Sequence, residues 1–126
     1  MTTREVILAF VEAINAHDLT ALAELMTDDH AFIDAHGNGI TGRQQMLAGW
    51  RGYFEWFPDY QIEVTDVFEN ENDFAMCGFA GGSFKGSADR SWRLPAAWKA
   101  TISDGRVALW QVFADTKIPF EIISAG

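Results

Sequence analysis

The sequence has little of two residue types that many functional sites require, cysteine and the basic residues. Its one cysteine, Cys77, excludes an internal disulfide, a cysteine-rich zinc site and an iron–sulfur cluster. Nine lysines and arginines stand against eighteen aspartates and glutamates, which gives a formal net charge of −9. Because phosphate contacts need a basic face, this deficit argues against a nucleic-acid partner and against an anionic membrane.

Long apolar runs and several familiar motifs are also lacking. No apolar run approaches the length that spans a membrane, and the N-terminus lacks the basic-then-apolar order of a signal peptide. We therefore expect a cytoplasmic protein without a membrane partner. There is no nucleophile elbow, phosphate-binding loop or dinucleotide fingerprint, so covalent serine chemistry is unsupported and no organic cofactor is expected.

The 126 residues do contain enough apolar material for one folded domain. Hydrophobic residues make up 48% of the chain and aromatic residues 13%, which argues against disorder. There is no internal repeat, low-complexity tract or linker-like stretch. We expect a single domain that covers residues 1–126.

Three helices are predicted in the first half of the chain. Thr2 and Glu5 have the spacing of a capping box, and an apolar stripe at helical period follows them. Asp18 can cap a second helix. Thr41 and Gln44 repeat the capping-box spacing before a second aromatic-rich stripe, which predicts the third helix.

The remaining segments alternate apolar and polar residues, as strands do. A short strand is predicted after the second helix, and four longer ones follow the third: 31–33, 60–68, 74–84, 92–103 and 107–114. Asp104 and Gly105 form a two-residue hairpin signal between the last two strands. The order of helix, helix, strand, helix and antiparallel meander predicts an α+β fold, with helices covering one face of a curved sheet.

Two polar residues near the first strand are candidates for chemistry. Alternation puts Asp34 and His36 on the same face as Phe32, so we expect Asp34 to look into an apolar interior. A carboxylate at such a wall suits proton transfer, and His36 could share the proton or orient the carboxylate. The alternative is structural: Asp34 caps the glycine-rich turn that follows, and His36 sits in solvent.

A metal site made of His30, Asp34 and His36 is a weaker alternative. The three residues share one parity along the strand, which makes a common face possible. Their spacing matches no known metal-ligand motif. We therefore expect no metal.

Tryptophan is the second signal, with five residues beside ten phenylalanines. Trp50 lies on the apolar stripe of the third helix, and Trp98 and Trp110 lie on neighbouring strands. Flat rings that converge near one carboxylate would suit a flat, apolar ligand. The alternative is that tryptophans fill the core, and we assign Trp56 and Trp92 to the core or to an interface.

The chain resembles a known superfamily in four segments, whose order and spacing carry the resemblance. These are AINAHDLTALAELMTDDHAFID, ITGRQQM, FPDY and ISDGRVALWQVFAD. They resemble the SnoaL-like and ketosteroid-isomerase-like branch of the nuclear-transport-factor-2-like superfamily, over nearly the whole chain. The resemblance implies a cone-shaped barrel of a strongly bent, mainly antiparallel sheet wrapped round three helices, with one deep pocket. It also implies a homodimer, usually through the outer sheet face.

The same resemblance suggests roles for individual residues. Asp34 stands where ketosteroid isomerases keep their general base, and Trp50 stands at a pocket tyrosine. Phe10 and Trp98 replace the two oxyanion donors of those enzymes, so we expect ketosteroid isomerase activity to be absent or feeble. Asp115 resembles the aspartate that ends the last strand in polyketide cyclases, although their histidine has no clear match. No arginine is expected in the pocket, unlike in limonene epoxide hydrolases.

The leading hypothesis is a small-molecule enzyme, isomerase-like or polyketide-cyclase-like, that moves a proton next to a carbonyl. Asp34 would be the base and His36 its partner or acid, without a metal or cofactor. The ligand would be small and apolar or aromatic, held by eight residues: Phe10, Ile14, Trp50, Phe54, Met76, Trp98, Trp110 and Asp115. The rival hypothesis is a non-catalytic ligand-binding or dimerisation module of the same fold.

Overall fold

The computed structural model describes residues 1–125, which form four α-helices and one six-stranded sheet. The helices are α1 (Thr3–Ala16), α2 (Leu19–Leu25), α3 (Arg43–Trp56) and α4 (Lys117–Ala125). The strands are β1 (Met26–Ile33), β2 (Gly39–Thr41), β3 (Gln61–Asn70), β4 (Asp73–Ser83), β5 (Ser91–Ser103) and β6 (Arg106–Ala114). In this part of the chain no helix is long and apolar enough to cross a membrane.

The first two helices begin where their capping residues predict. The Thr2 hydroxyl accepts the Glu5 N–H, and the Glu5 carboxylate accepts the Thr2 N–H, so the predicted capping box is confirmed. His17 ends α1 in the left-handed conformation, and Asp18 caps α2 by accepting the Ala21 N–H. The buried side of α1 packs into the core through Val6, Ile7, Phe10, Ala13 and Ile14.

The sheet is curved and unclosed, with the strand order β2-β1-β6-β5-β4-β3. All neighbouring strands are antiparallel except β1 and β6, which run parallel. Alternate residues of β5 turn inward and are buried, as the alternation predicts: Ala96, Trp98, Ala100 and Ile102. The predicted α+β architecture, with helices against one face of a mainly antiparallel sheet, is confirmed.

Two local features of the sheet have visible causes in the sequence, the turn between β5 and β6 and a bulge in β3. Asp104 and Gly105 connect β5 to β6, and both have positive φ angles, 52° and 76°, as a two-residue turn of type I′ requires. In β3 the pairing register shifts between Val64 and Asp66. This bulge shifts the alternation by one residue, so that Val67 packs against the core and Phe68 faces outward.

Two predicted boundaries are wrong. Thr41 does not cap α3, because it ends β2, a strand absent from the prediction, and Gly42 stands at the N-cap without a side-chain hydrogen bond. Gln44 therefore has no capping partner. β1 begins at Met26 rather than at residue 31, because Met26 already pairs with β6 next to the end of α2.

The helix α4 is a fourth helix where three were predicted. The Asp115 carboxylate accepts the Lys117 N–H at its start, and Pro119 lies in its first turn, where proline is tolerated. Ile122 and Ile123 pack against the core. The C-terminal segment therefore covers part of the space that the curved sheet leaves open.

Candidate functional site

The helices and the inner face of the sheet enclose a cavity of about 520 Å³. This volume is in the range of small-molecule sites in proteins. The lining is mostly apolar and comes from α1, α3, α4 and every strand of the sheet. All five tryptophans of the chain contribute to it: Trp50, Trp56, Trp92, Trp98 and Trp110.

Trp92 packs against the core, as expected, and also lines the cavity, whereas Trp56 lies outside the core. Trp92 has the same inward parity as Trp98, six residues later on β5, and its ring contacts Phe57 and Tyr60 at centroid distances of 5.4 and 6.2 Å. Trp56 is 44% exposed at the end of α3 and also belongs to the lining. Strand parity was a usable signal for Trp92.

The structure brings four of the eight predicted ligand-contacting residues onto the cavity wall: Ile14, Trp50, Trp98 and Trp110. The Trp98 and Trp110 rings stack at a centroid distance of 6.3 Å. The Trp50 ring contacts Phe32 edge-on at 6.5 Å, which joins α3 to β1. These rings form a broad apolar surface for a flat ligand.

The other four predicted contact residues lie outside the lining. Phe10 and Met76 are completely buried beneath it, Phe10 against the Trp110 ring at 5.0 Å. Phe54 stacks on the His17 ring at 4.0 Å, which fixes it on the far side of Trp50 from the cavity. Asp115 is exposed, and its carboxylate accepts the Lys117 N–H at the start of α4.

Asp34 lies on the cavity wall directly after β1. Its Oδ1 accepts the backbone N–H groups of His36 and Asn38, both at 2.9 Å. Its own backbone closes the same turn with Asn38 and Gly37. The carboxylate thus has the structural role that the sequence left open, yet it also borders the cavity, and Oδ2 makes no hydrogen bond within residues 1–125.

The His36 ring bonds Thr116 rather than Asp34. Its Nε2 lies 2.8 Å from the Thr116 hydroxyl, and the ring meets Phe120 edge-on at 5.0 Å. Only the backbone of His36 contacts the Asp34 carboxylate. The Asp34 and His36 side chains therefore make no direct hydrogen bond with each other, and the His36 ring instead connects the turn to the start of α4.

The three residues of the weaker metal hypothesis do not converge. His30 is fully buried, with Nδ1 2.7 Å from the Val107 carbonyl oxygen, and desolvation lowers the pKa of its imidazole. The neutral ring donates its Nδ1–H to that carbonyl. Asp34 and His36 lie in the following turn, and across residues 1–125 no three His, Cys, Asp or Glu side chains form a group that could hold a metal.

Two tyrosines that sequence reasoning did not select as site residues line the cavity. The rings of Tyr53 and Tyr60 meet edge-on at 4.9 Å. Burial raises the pKa of both phenols, so both stay protonated at neutral pH. A signal was present, because they are the chain's only tyrosines and flank Pro58, which follows α3.

The C-terminal segment contributes four lining residues that were also missed: Thr116, Pro119, Phe120 and Ile123. Their signal was the capping residue Asp115 followed by spaced apolar residues. No lysine or arginine belongs to the described lining, as expected. Arg43 pairs with Asp28, and Arg93 pairs with Glu63 at 2.8 Å.

Comparison with known proteins gives one family match. The model of the family described as a SnoaL-like domain matches residues 7–110. Among curated proteins, no sequence matches the chain.

Three solved structures are similar in fold over most of the chain. A candidate SnoaL-like polyketide cyclase from Jannaschia sp. CCS1 is 22% identical, with a TM-score of 0.84, over 98% of this chain and 92% of that one. A protein with a ketosteroid isomerase-like fold from Catenulispora acidiphila, in complex with trimethylamine, is 21% identical, with a TM-score of 0.78, over 89% and 86%. An M. tuberculosis epoxide hydrolase of the LEH-like type is 14% identical, with a TM-score of 0.81, over 98% and 90%. At these identities the likeness concerns the fold alone.

Proposed function

Since the chain belongs to the SnoaL-like domain family, we propose that it is a small-molecule enzyme that moves a proton next to a carbonyl group. The observation that carries this proposal is the position of Asp34. Its carboxylate borders an aromatic cavity with one oxygen anchored by two backbone N–H groups and the other free. The reaction class is isomerisation or aldol-type cyclisation, and the likeness to a candidate polyketide cyclase supports it.

The proposed substrate is a flat, uncharged ketone. The stacked rings of Trp98 and Trp110, with Trp50 on the facing helix, offer apolar surfaces to a fused-ring compound. The lack of lysine and arginine in the described lining gives an anionic substrate no partner. An uncharged ring system with a carbonyl therefore fits the lining best.

In the proposed step, Asp34 Oδ2 takes a proton from the carbon next to the carbonyl. The electron pair of the broken C–H bond moves to the carbonyl oxygen and forms an enolate. The Trp98 indole N–H has no hydrogen-bond partner in the part of the chain that the structure describes, and it is the donor proposed for that oxygen. In isomerisation, Asp34 returns the proton to another carbon. In cyclisation, the enolate carbon attacks a second carbonyl and Asp34 protonates the alkoxide.

His36 is proposed as a positioning residue in this step. Its backbone N–H holds Asp34 Oδ1, and its ring holds the turn against Thr116.

A second candidate function is ligand binding without chemistry. The observation that favours it is the structural role of Asp34. Its carboxylate accepts a backbone N–H in a turn, as the Asp115 carboxylate does at the start of α4, and this role is independent of any catalysis. A missing oxyanion tyrosine at Phe10 also favours it, because that side chain has no hydrogen-bonding group. The two candidates share the ligand and differ only in proton transfer.

A homodimer through the outer sheet face also stays a proposal. Phe68 and Phe113 are 61% and 50% exposed, and each pairs with an outward residue of the neighbouring strand. Burying such side chains against a second copy would be favourable. Light scattering after size exclusion would measure the mass of the protein in solution and so test the dimer. A cytoplasmic location also stays a prediction.

Deuterium exchange tests the proposed chemistry without knowledge of the natural substrate. The probe is 2-tetralone in D₂O, and proton NMR follows deuterium uptake at the carbons next to its carbonyl. Asp34→Asn keeps an oxygen that accepts the two turn hydrogen bonds but cannot take the proton. We expect exchange to fall at least about 100-fold, while binding persists.

The matched control is Asp115→Asn. Asp115 also accepts a backbone N–H two residues downstream, but it lies outside the cavity, so exchange should equal that of the wild type. Undiminished exchange in Asp34→Asn would remove the mechanism. Saturable quenching of tryptophan fluorescence without exchange above the buffer rate would support the non-catalytic candidate.

A further inference from the structure

The hydroxyl groups of Tyr53 and Tyr60 have no hydrogen-bond partner among residues 1–125, which the structure describes. Buried polar groups normally make hydrogen bonds, so an unpaired pair on a cavity wall calls for an explanation. Within residues 1–125, four side-chain nitrogen or oxygen atoms are buried from solvent and have no hydrogen-bond partner: Thr27 Oγ1, His30 Nε2, Trp50 Nε1 and Trp92 Nε1. The tyrosine hydroxyls are not among them, although neither makes a hydrogen bond within residues 1–125. Both tyrosines line the cavity, so a ligand in the cavity can supply the partner that these hydroxyls lack.

Ring contacts hold these tyrosines in place. We call the group the aromatic side of the cavity, and its members are Tyr53, Phe57, Tyr60 and Trp92. Tyr53 contacts Phe57 at 5.1 Å and Tyr60 at 4.9 Å, while Tyr60 contacts Trp92 at 6.2 Å. The His17 ring also bonds the Tyr60 carbonyl oxygen at 2.8 Å. Because the rings are fixed, the two hydroxyls need little reorganisation to meet a ligand.

The aromatic side and Asp34 lie on different sides of the cavity. Asp34 follows β1, whereas Tyr60 precedes β3, the edge strand at the other end of the sheet order. The helix α3 runs between them, with Trp50 against Phe32 of β1 and, further along, Tyr53 against Tyr60. A ligand that contacts both sides must extend across the cavity.

The chemistry of the two sides selects complementary groups. Asp34 offers an acceptor oxygen, whereas protonated phenols are donors that seek an acceptor. Because the described lining contains no lysine or arginine, it offers no cation to pair with an anionic group of the ligand. A neutral oxygen is therefore a sufficient acceptor for the two phenols.

We propose that Tyr53 and Tyr60 form a subsite that donates hydrogen bonds to a second oxygen of the ligand, remote from the carbonyl whose neighbouring carbon Asp34 deprotonates. The substrate class is then a flat, fused-ring ketone with a further carbonyl or phenolic oxygen on the opposite edge. The inference rests on the proposed function and narrows its substrate.

The test compares two probes that differ by one remote oxygen, 6-hydroxy-2-tetralone and 2-tetralone. Calorimetry measures both dissociation constants for the wild type and for Tyr53→Phe, Tyr60→Phe and the double variant. Phenylalanine keeps the ring packing and removes only the hydroxyl. We expect the wild type to prefer the hydroxylated probe by about five-fold for each hydrogen bond made, and the double variant to lose that preference.

The matched control is Thr101→Val, which removes a hydroxyl that lies outside the lining and already has a partner, Asp73. Its preference for the hydroxylated probe should equal that of the wild type. A preference that survives in the double variant, or none in the wild type, would overturn the subsite. If neither probe binds, the subsite and the proposed ligand class fail together.

The two proposals fail in different ways. Exchange that depends on Asp34, without any preference for the remote oxygen, would keep the mechanism and remove the subsite. A preference that Tyr53→Phe and Tyr60→Phe abolish, without exchange, would keep the subsite and remove the chemistry. Asp34→Asn should lose exchange and keep the preference.

Discussion

The two sides of the cavity are held together by different forces. The aromatic side consists of rings that pack at centroid distances of 4.9 to 6.2 Å. The opposite side, called the turn side, consists of Asp34, His36, Thr116 and Phe120, and directional hydrogen bonds join the first three. Ring packing rests on apolar burial and needs no directional bond, whereas the turn fixes the direction of one carboxylate oxygen.

This difference suggests a division of labour. The aromatic side buries a large apolar area, so we expect it to contribute more to folding stability than the turn side does. Its rings also determine which ligand shapes fit the cavity. The turn side contributes little burial, since His36 and Phe120 are exposed there. It can therefore carry chemistry and open to solvent at small cost in stability.

The largest expected effect is loss of stability on the aromatic side. Phe57 is completely buried, so Phe57→Ala should lower the free energy of unfolding by about 3–5 kcal/mol. Urea denaturation measures it. Phe120→Ala, at a half-exposed ring on the turn side, is the control and should cost less than about 1 kcal/mol. Equal losses would contradict the comparison.

Within the turn side, the capping role of Asp34 can be separated from its proposed chemistry. Asp34→Ala leaves two backbone N–H groups without their acceptor and should cost about 1–2 kcal/mol of stability. Asp34→Asn should stay within about 0.5 kcal/mol of the wild type, because its amide oxygen can accept both. If both variants lose the same stability, the turn depends on charge rather than on hydrogen bonds.

A pH effect on stability is expected from the buried histidine, His30. Desolvation lowers the pKa of His30 in the folded state, so the unfolded chain binds its proton more readily. This contribution to stability is present above the unfolded pKa of about 6.5 and is lost as the pH falls below it, by at most about 1.4 kcal/mol per pH unit. His30→Gln should flatten the curve of stability against pH that urea denaturation gives between pH 7 and 5. A wild-type curve without this slope would count against the assignment.

The smallest expected effect is local. Thr116→Val removes the hydrogen bond to His36 and keeps the side-chain shape. We expect faster amide hydrogen exchange in α4, with a change in global stability below about 0.5 kcal/mol. Unchanged exchange in α4 would show that apolar packing alone holds this helix.

Elements with strong local signals were predictable from the sequence. The capping box at Thr2, the inward parity of β5 and the turn at Asp104 and Gly105 each depend on residues close in sequence. The family resemblance, carried by the order of short segments, is confirmed by the match over residues 7–110.

Contacts between distant segments were not predictable from one sequence. The hydrogen bond between His36 and Thr116 joins residues 80 positions apart. It could not be predicted without first predicting α4. Phe54 shares the apolar stripe of α3 with Trp50, yet only the position of His17 decides that it faces away from the cavity. Periodicity identifies a buried face, but it does not tell core from cavity wall.

The most direct test of the division of labour is the split between turnover and apparent binding in one assay. Deuterium uptake by 6-hydroxy-2-tetralone would be measured against probe concentration for the wild type, Asp34→Asn and Tyr60→Phe. We predict that Asp34→Asn lowers kcat at least about 100-fold with KM little changed, whereas Tyr60→Phe raises KM about five-fold with kcat little changed. Asp34→Asn with the kcat of the wild type, or Tyr60→Phe with an unchanged KM, would contradict the account.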